Sequence, residues 1–153
     1  MQSNKVKYIA PFVSCIESID SLKLLKEVNK RARQNDRIIN CLLQFHIARE
    51  SSKFGLSLDE AKELIESQAF TEMKHVNLIG VMGMATFTED DNLVRNEFRT
   101  LYQYFSTLKM HYFSENSSFK EVSMGMSNDY KIAVDEGSTI IRIGSLIFGE
   151  RGS

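Results

Sequence analysis

Proline is almost missing from this chain, with Pro11 the one example, and cysteine is scarce, at two residues. Charge of either sign is nearly balanced, at a formal net of -1, which gives no global pull toward nucleic acid or an anionic membrane surface. No apolar run approaches the ~20 residues that a membrane-spanning helix needs. The opening "MQSNKVKYIAPFVSC" has neither the long apolar segment nor the small-residue cleavage pattern of a secretory signal. Cys15 and Cys41 sit in apolar, strand-like stretches with no second Cys or His at metal spacing, so free thiols in a reducing cytosol are expected rather than a disulfide or a zinc site. His46, His75 and His111 are too far apart to suggest a metal centre. There is no low-complexity tract and no repeat beyond a strand–helix rhythm. The expectation is a cytoplasmic protein with no nucleic-acid or membrane partner.

What is present is ordinary for one globular domain over residues 1–153: 42% hydrophobic and 25% charged, enough to bury a substantial core. Apolar strand-like runs alternate with amphipathic helices. "SCIESID" reads as a short strand, and Ser21 then caps "LKLLKEVNKRAR", with Leu22, Leu25, Val28 and Ala32 on one face. "IINCLLQFHI" and "NLIGVMGM" read as buried strands. Between them, Ser57 and Glu60 form a capping box ahead of "AKELIESQ". The longest helix keeps a 3.6 period through Leu93, Val94, Phe98, Leu101, Phe105 and Leu108. "EVSMGMS", the helix "NDYKIAVDEG" and "TIIRIGSLIFG" follow. Strands apolar on both faces, alternating with helices and joined without Asn-Gly hairpin turns, predict an α/β fold with a parallel sheet. At ~30 residues per unit the chain holds about five βα units, short of the ~250 residues of a closed eight-unit barrel. A small doubly wound domain and part of a barrel both remain open.

The last two strands both end in Gly/Ser turns. Ser123, Gly125 and Ser127 cluster where one strand gives way to a helix, with Ser127 placed to cap it, and "RIGS" repeats the pattern. Such turns let backbone N–H groups approach an anion, and in α/β barrels the loops after the last two strands frequently bind phosphate. Arg142, between Ile141 and Ile143 in an apolar strand, is either a strand-edge cation reaching water or a fixed donor at the mouth of the sheet. The serines lack a G-x-S-x-G nucleophile elbow, and "GVMGMA" lacks the third glycine of a dinucleotide fingerprint.

"SMGMSNDYKIAVDEGSTIIRIGSLIFGER" closely resembles the C-terminal signature of the pyridoxal-phosphate homeostasis proteins, relatives of the alanine racemase N-terminal barrel. "QSNKVKYI", "SIDSLKLLKEVNKRA", "ESSKFGL" and "GVMGMAT" match further landmarks in the same order. The resemblance implies a partial TIM-like barrel that binds pyridoxal 5'-phosphate in intracellular cofactor homeostasis, as a carrier rather than an enzyme. It implies that Ser123, Gly125, Met126, Ser127, Gly144 and Ser145 surround the phosphate, that Arg142 faces the pyridine nitrogen, and that Met82 and Asn4 lie near the pocket. In the family a lysine on an early strand, ahead of the Q-x-N-K landmark, anchors the cofactor covalently. Here that landmark falls at residues 2–5, so the resemblance implies the later part of the barrel, without that lysine. Binding is then expected to be non-covalent, with no catalytic residue in this chain and with exposed sheet edges open to self-association. A racemase-like enzyme or an inert phosphate-binding fragment are the alternatives.

Overall fold

The computed structural model describes residues 1–49 and 54–149. Five parallel strands, β1 (Cys15–Ile19), β2 (Ile39–Phe45), β3 (Val76–Gly83), β4 (Glu121–Met126) and β5 (Ile140–Arg142), form one sheet in the order β1-β2-β3-β4-β5. After a 3-10 turn (Ser3–Lys5), the helices are α1 (Val6–Ile9), α2 (Leu22–Gln34), α3 (Leu58–Glu66), α4 (Gln68–Thr71), α5 (Asp91–Tyr112), α6 (Tyr130–Asp135) and α7 (Ser145–Phe148). A doubly wound sheet reverses its strand order at a switch point. Here the order never reverses, which leaves the barrel reading: an open, curled half-barrel of five βα units.

The local sequence signals account for the helix starts. Ser21 Oγ accepts from the Leu24 amide, and Ser57 and Glu60 close a full capping box on α3. Asp90 caps α5 through the Asn92 and Leu93 amides. One cap differs from expectation. Asp129, not Ser127, is the N-cap of α6, and Ser127 Oγ instead lies 3.4 Å from the Gly144 amide, across to the next turn.

The sheet is not apolar on both faces. One face carries Ile16, Cys41, Leu43, Phe45, Leu78, Val81, Val122 and Met124, all in the apolar core with Leu25 and Val28 of α2 and Phe98, Leu101 and Leu108 of α5. Burial of each large apolar side chain contributes about 1.5–3 kcal/mol. Phe119 extends this core, stacked on Phe113 at 4.1 Å and on Phe105 at 5.5 Å between ring centroids. The opposite, concave face mixes Leu42 and Met82 with polar groups, including an Asn77–Asn40 side-chain hydrogen bond of 3.1 Å. Ser123 on β4 donates to Glu17 on β1 at 2.7 Å. Strands stand about 4.8 Å apart, so a flat sheet would hold β1 and β4 roughly 14 Å from each other. The contact exists because the sheet curls, as a barrel wall must.

Gly80 marks a bulge where the β2–β3 register shifts between Cys41 and Leu42. Its φ is +157°, and a Cβ there would fall 1.8 Å from the Glu121 carbonyl oxygen, so β3 and β4 pair in this register only around a glycine.

Helix α6 is tied to α5 by Glu136, which accepts from Arg95 at 2.6 Å and Arg99 at 2.8 Å. Burial pushes its carboxyl up, but the two guanidinium groups outweigh that and hold it below its ordinary value of 4.5. A carboxyl lowered in the folded state contributes stability that is present above its unfolded value and lost as pH falls through the folded one. Urea midpoints of the native chain are therefore expected to fall more steeply below about pH 4.5 than those of Glu136→Gln. Equal slopes in the two proteins would show that this ion pair carries no such stability.

Candidate functional site

At the C-terminal ends of β3, β4 and β5 the connecting loops enclose a cleft of about 370 Å³, within the size range of small-molecule sites. Loop 85–88 forms one wall. The β4–α6 turn supplies Met126, Ser127, Asn128 and Asp129, and β5 with its following turn supplies Arg142, Gly144 and Ser145. Ala85, Val94 and Ile132 give it an apolar floor. A second cleft of about 200 Å³, with His46 on its wall, adjoins it and shares Ala85, Phe87 and Met126.

Among the described residues, Arg142 is the one guanidinium on the cleft wall. It is held from two sides, with Nη1 donating to Ser123 Oγ at 2.7 Å and Nη2 to the Gly83 carbonyl at 3.0 Å. Burial lowers its pKa, while the charges of Glu17 and Asp129 act in the opposite sense. An arginine remains protonated at neutral pH under such a shift. Its guanidinium has five N–H donors, so the two tethers leave others available.

Ser127, Gly144 and Ser145 line the same region, and the Gly144 amide donates to Ser127 Oγ at 3.4 Å. Ser145 opens α7, so its N–H has no acceptor within that helix. Asp91 and Asp129 also line the cleft. Asp129 is engaged, accepting from the Met126 amide at 2.6 Å.

Of the residues expected from the sequence, Met126, Ser127, Arg142, Gly144 and Ser145 meet on this cleft. Ser123 is fully buried behind it, bonded to Arg142 and Glu17. Gly125 has φ +96°, and a Cβ there would meet Ala133 Cβ at 2.6 Å. Its bareness lets α6 pack against β4 and does not open the cleft. Met82 is buried on β3, in register with Ser123. Asn4 is exposed in the N-terminal 3-10 turn and is not on the cleft wall. Residues 50–53 of "ESSKFGL" lie outside the described residues.

Two residues that the sequence reading passed over shape the site. Glu97 on α5 is only 5% exposed and accepts from the Thr86 amide at 2.7 Å, the Thr86 hydroxyl at 2.8 Å and the Arg49 amide at 3.2 Å. It fixes loop 85–88, the wall of the cleft, and its signal was a carboxylate inside the apolar stripe Val94, Phe98, Leu101. Glu17 is the other, marked by being the one charged residue in the strand "CIESI". Beside it Cys15 is half-buried, and burial, with the Glu17 and Glu121 carboxylates, pushes its thiol up to about 11. Cys41 is shifted further in the same direction by burial and by Cys15. Neither is an activated nucleophile. Among the described residues there is no cluster suited to a metal ion, and no helix is long and apolar enough to cross a membrane.

Residues 3–152 match the model of the alanine racemase N-terminal domain. The chain belongs to that family. Its curated relatives include the pyridoxal phosphate homeostasis proteins of Aquifex aeolicus, 37% identical over 151 residues, and of Helicobacter pylori strain 26695, 35% identical over 151 residues. The alignments cover 99% and 98% of this chain, which spans 64% of the length of each of these relatives. Among solved structures, an unknown protein from Bifidobacterium adolescentis superposes with a TM-score of 0.85 at 30% identity, over 97% of this chain and 58% of that one. PipY of Synechococcus elongatus, in a structure with PLP bound, gives 0.84 at 26% identity, over 97% of this chain and 67% of that one. In this alanine racemase N-terminal domain the half-barrel and its C-terminal cleft thus follow a backbone path already seen in solved proteins.

Proposed function

We propose that this chain binds pyridoxal 5'-phosphate in the cleft at the ends of β4 and β5 and serves intracellular cofactor homeostasis as a carrier. The observation that carries this reading is the meeting of Arg142 with Ser127, Gly144 and Ser145 on one wall. Ser127, Gly144 and Ser145 would hold the phosphate through hydroxyl and amide donors, and Arg142 would face the ring nitrogen. The similarity to proteins named for pyridoxal phosphate homeostasis, and to PipY with PLP bound, supports the choice of ligand.

When bound, the cofactor supplies a ring that can accept electron density, a capacity the protein tunes through the groups around it. A permanently charged arginine would donate an N–H hydrogen bond to the ring nitrogen, keep its own proton and leave that nitrogen unprotonated, which weakens the electron sink. That favours holding over catalysis. A racemase-like reading needs an amine to anchor the cofactor and an acid/base opposite it. The described lining offers hydroxyls, amides, a guanidinium and carboxylates, none of which forms an imine. That described lining supports a non-covalent ligand.

The test is absorbance titration of the chain with the cofactor, followed by borohydride reduction and peptide mapping. Saturable binding that is removed by dialysis, with no reduced adduct, is expected. A stoichiometric adduct on one lysine would overturn the non-covalent mode, and no saturation would overturn the ligand. For partners, β1 and β5 each pair on one side only among the described residues. Such edges favour strand-to-strand association, which supports self-association through them. Cys15 and Cys41 are both free thiols, which supports a reducing, cytoplasmic setting.

A further inference from the structure

We propose that Glu17 is a positioning residue for Arg142, acting through the hydroxyl of Ser123; the ligand side of this inference rests on the cofactor reading above. A serine hydroxyl has one hydrogen and two lone pairs. Ser123 spends its hydrogen on Glu17 Oε2 at 2.7 Å, so toward β5 it presents only a lone pair, and Arg142 Nη1 donates to that lone pair at 2.7 Å. The carboxylate therefore sets the direction of the hydroxyl and makes it a better acceptor, since hydrogen bonds in a chain polarise one another.

Direct contact between the two charges is weaker. Arg142 Nη1 and Glu17 Oε2 are 4.0 Å apart, beyond hydrogen-bond range, so the orienting effect runs through Ser123. The Gly83 carbonyl gives the second tether, at 3.0 Å to Nη2. Two anchors on different nitrogens fix the plane of a guanidinium, which one anchor leaves free to swing. The Glu17 carboxylate comes from β1, the first strand, and reaches β4 and β5, the last two, across the curl of the sheet. The orientation of the Arg142 guanidinium is thereby linked to the closure of the half-barrel. Glu17 lines neither cleft, so it touches no ligand held there.

The experiment compares the native chain with Glu17→Ala, Glu17→Gln, Ser123→Ala and the Glu17→Ala/Ser123→Ala double variant in two readouts. The first is cofactor affinity by absorbance titration. Hydrogen bonds to charged groups suggest a loss of roughly tenfold for Glu17→Ala and for Ser123→Ala. Glu17→Gln, which keeps the acceptor, should lose about twofold. The double variant should be no weaker than the weaker single one, because residues acting through one path are not additive. The second readout needs no ligand: ¹⁵N NMR of the arginine side chains in the free protein. Arg142 should show slow guanidinium rotation in the native chain and fast rotation in Glu17→Ala, with partial recovery in Glu17→Gln. Unchanged Arg142 signals and affinity in Glu17→Ala, at an unchanged melting temperature, would overturn the proposal, as would single-variant losses that multiply in the double variant. If the native chain takes up no cofactor, the ligand reading fails alone and the NMR readout decides the positioning claim.

Discussion

Gly80→Ala is expected to destabilise the fold by about 4 kcal/mol or more, at the extreme of single-residue effects. The reason is steric. The added Cβ would sit 1.8 Å from the Glu121 carbonyl oxygen and 2.6 Å from its carbon, and backbone on a paired strand cannot swing away as a side chain would. Relief requires β4 to leave its register with β3, which pairs Gly80 with Glu121, Val81 with Val122 and Met82 with Ser123. The positive φ adds strain for any residue with a Cβ. Domains of this size hold only about 5–15 kcal/mol in total, so the variant is expected to be largely unfolded or to melt far below the native chain. Circular dichroism through a urea titration measures this. Gly144→Ala is the control, because a Cβ there meets nothing within 4 Å and its urea midpoint should match the native one. A native-like midpoint for Gly80→Ala would mean that the bulge adapts and that the β3–β4 register is not glycine-dependent.

Arg142→Ala is expected to carry the largest functional effect. It removes the one guanidinium that the described residues place on the cleft wall, where their other charges are the carboxylates of Asp91 and Asp129. A charge-assisted hydrogen bond is worth about 1.5–3 kcal/mol, so cofactor affinity should fall by roughly ten- to a hundredfold. Stability should change less, since Ser123 keeps its bond to Glu17. Arg142→Lys separates charge from shape. A lysine keeps the cation but cannot make the two-sided, planar contact to Ser123 and Gly83, so its affinity should lie between the two. Titration of the three proteins is the check, and equal affinity for native and alanine forms would remove Arg142 from the site.

The local half of this structure was legible in the sequence, because caps and periodicity are local. Ser21, the Ser57–Glu60 box and the apolar stripe of α5 need only neighbouring residues to act. The turns at Ser127 and at Gly144–Ser145 were legible for the same reason, and they do meet at one cleft. What depends on distant partners was not. Ser123 stands 106 residues from Glu17, and nothing within "CIESI" says that the sheet will curl enough to join them. Glu97 could be noticed as a charge in an apolar stripe, but its partner Thr86 lies in a loop whose path the sequence does not define. Ser127 does not cap α6: Asp129 holds the N-cap position without a side-chain cap bond, its carboxylate accepting the Met126 amide instead, and Ser127 Oγ accepts from the Gly144 amide. The polar concave face was hidden for another reason. Leu42 and Met82 lie on it too, so "INCLLQF" and "NLIGVMG" read as apolar throughout.

The central claim, that the turns after β4 and β5 hold pyridoxal 5'-phosphate beside Arg142, is tested most directly by ¹H–¹⁵N correlation spectra of the chain titrated with the cofactor. Saturating shifts concentrated at the amides of Ser127, Gly144 and Ser145 and at the Arg142 side chain are expected. Saturation with the shifts centred elsewhere, or no shift at these positions at millimolar cofactor, would contradict it.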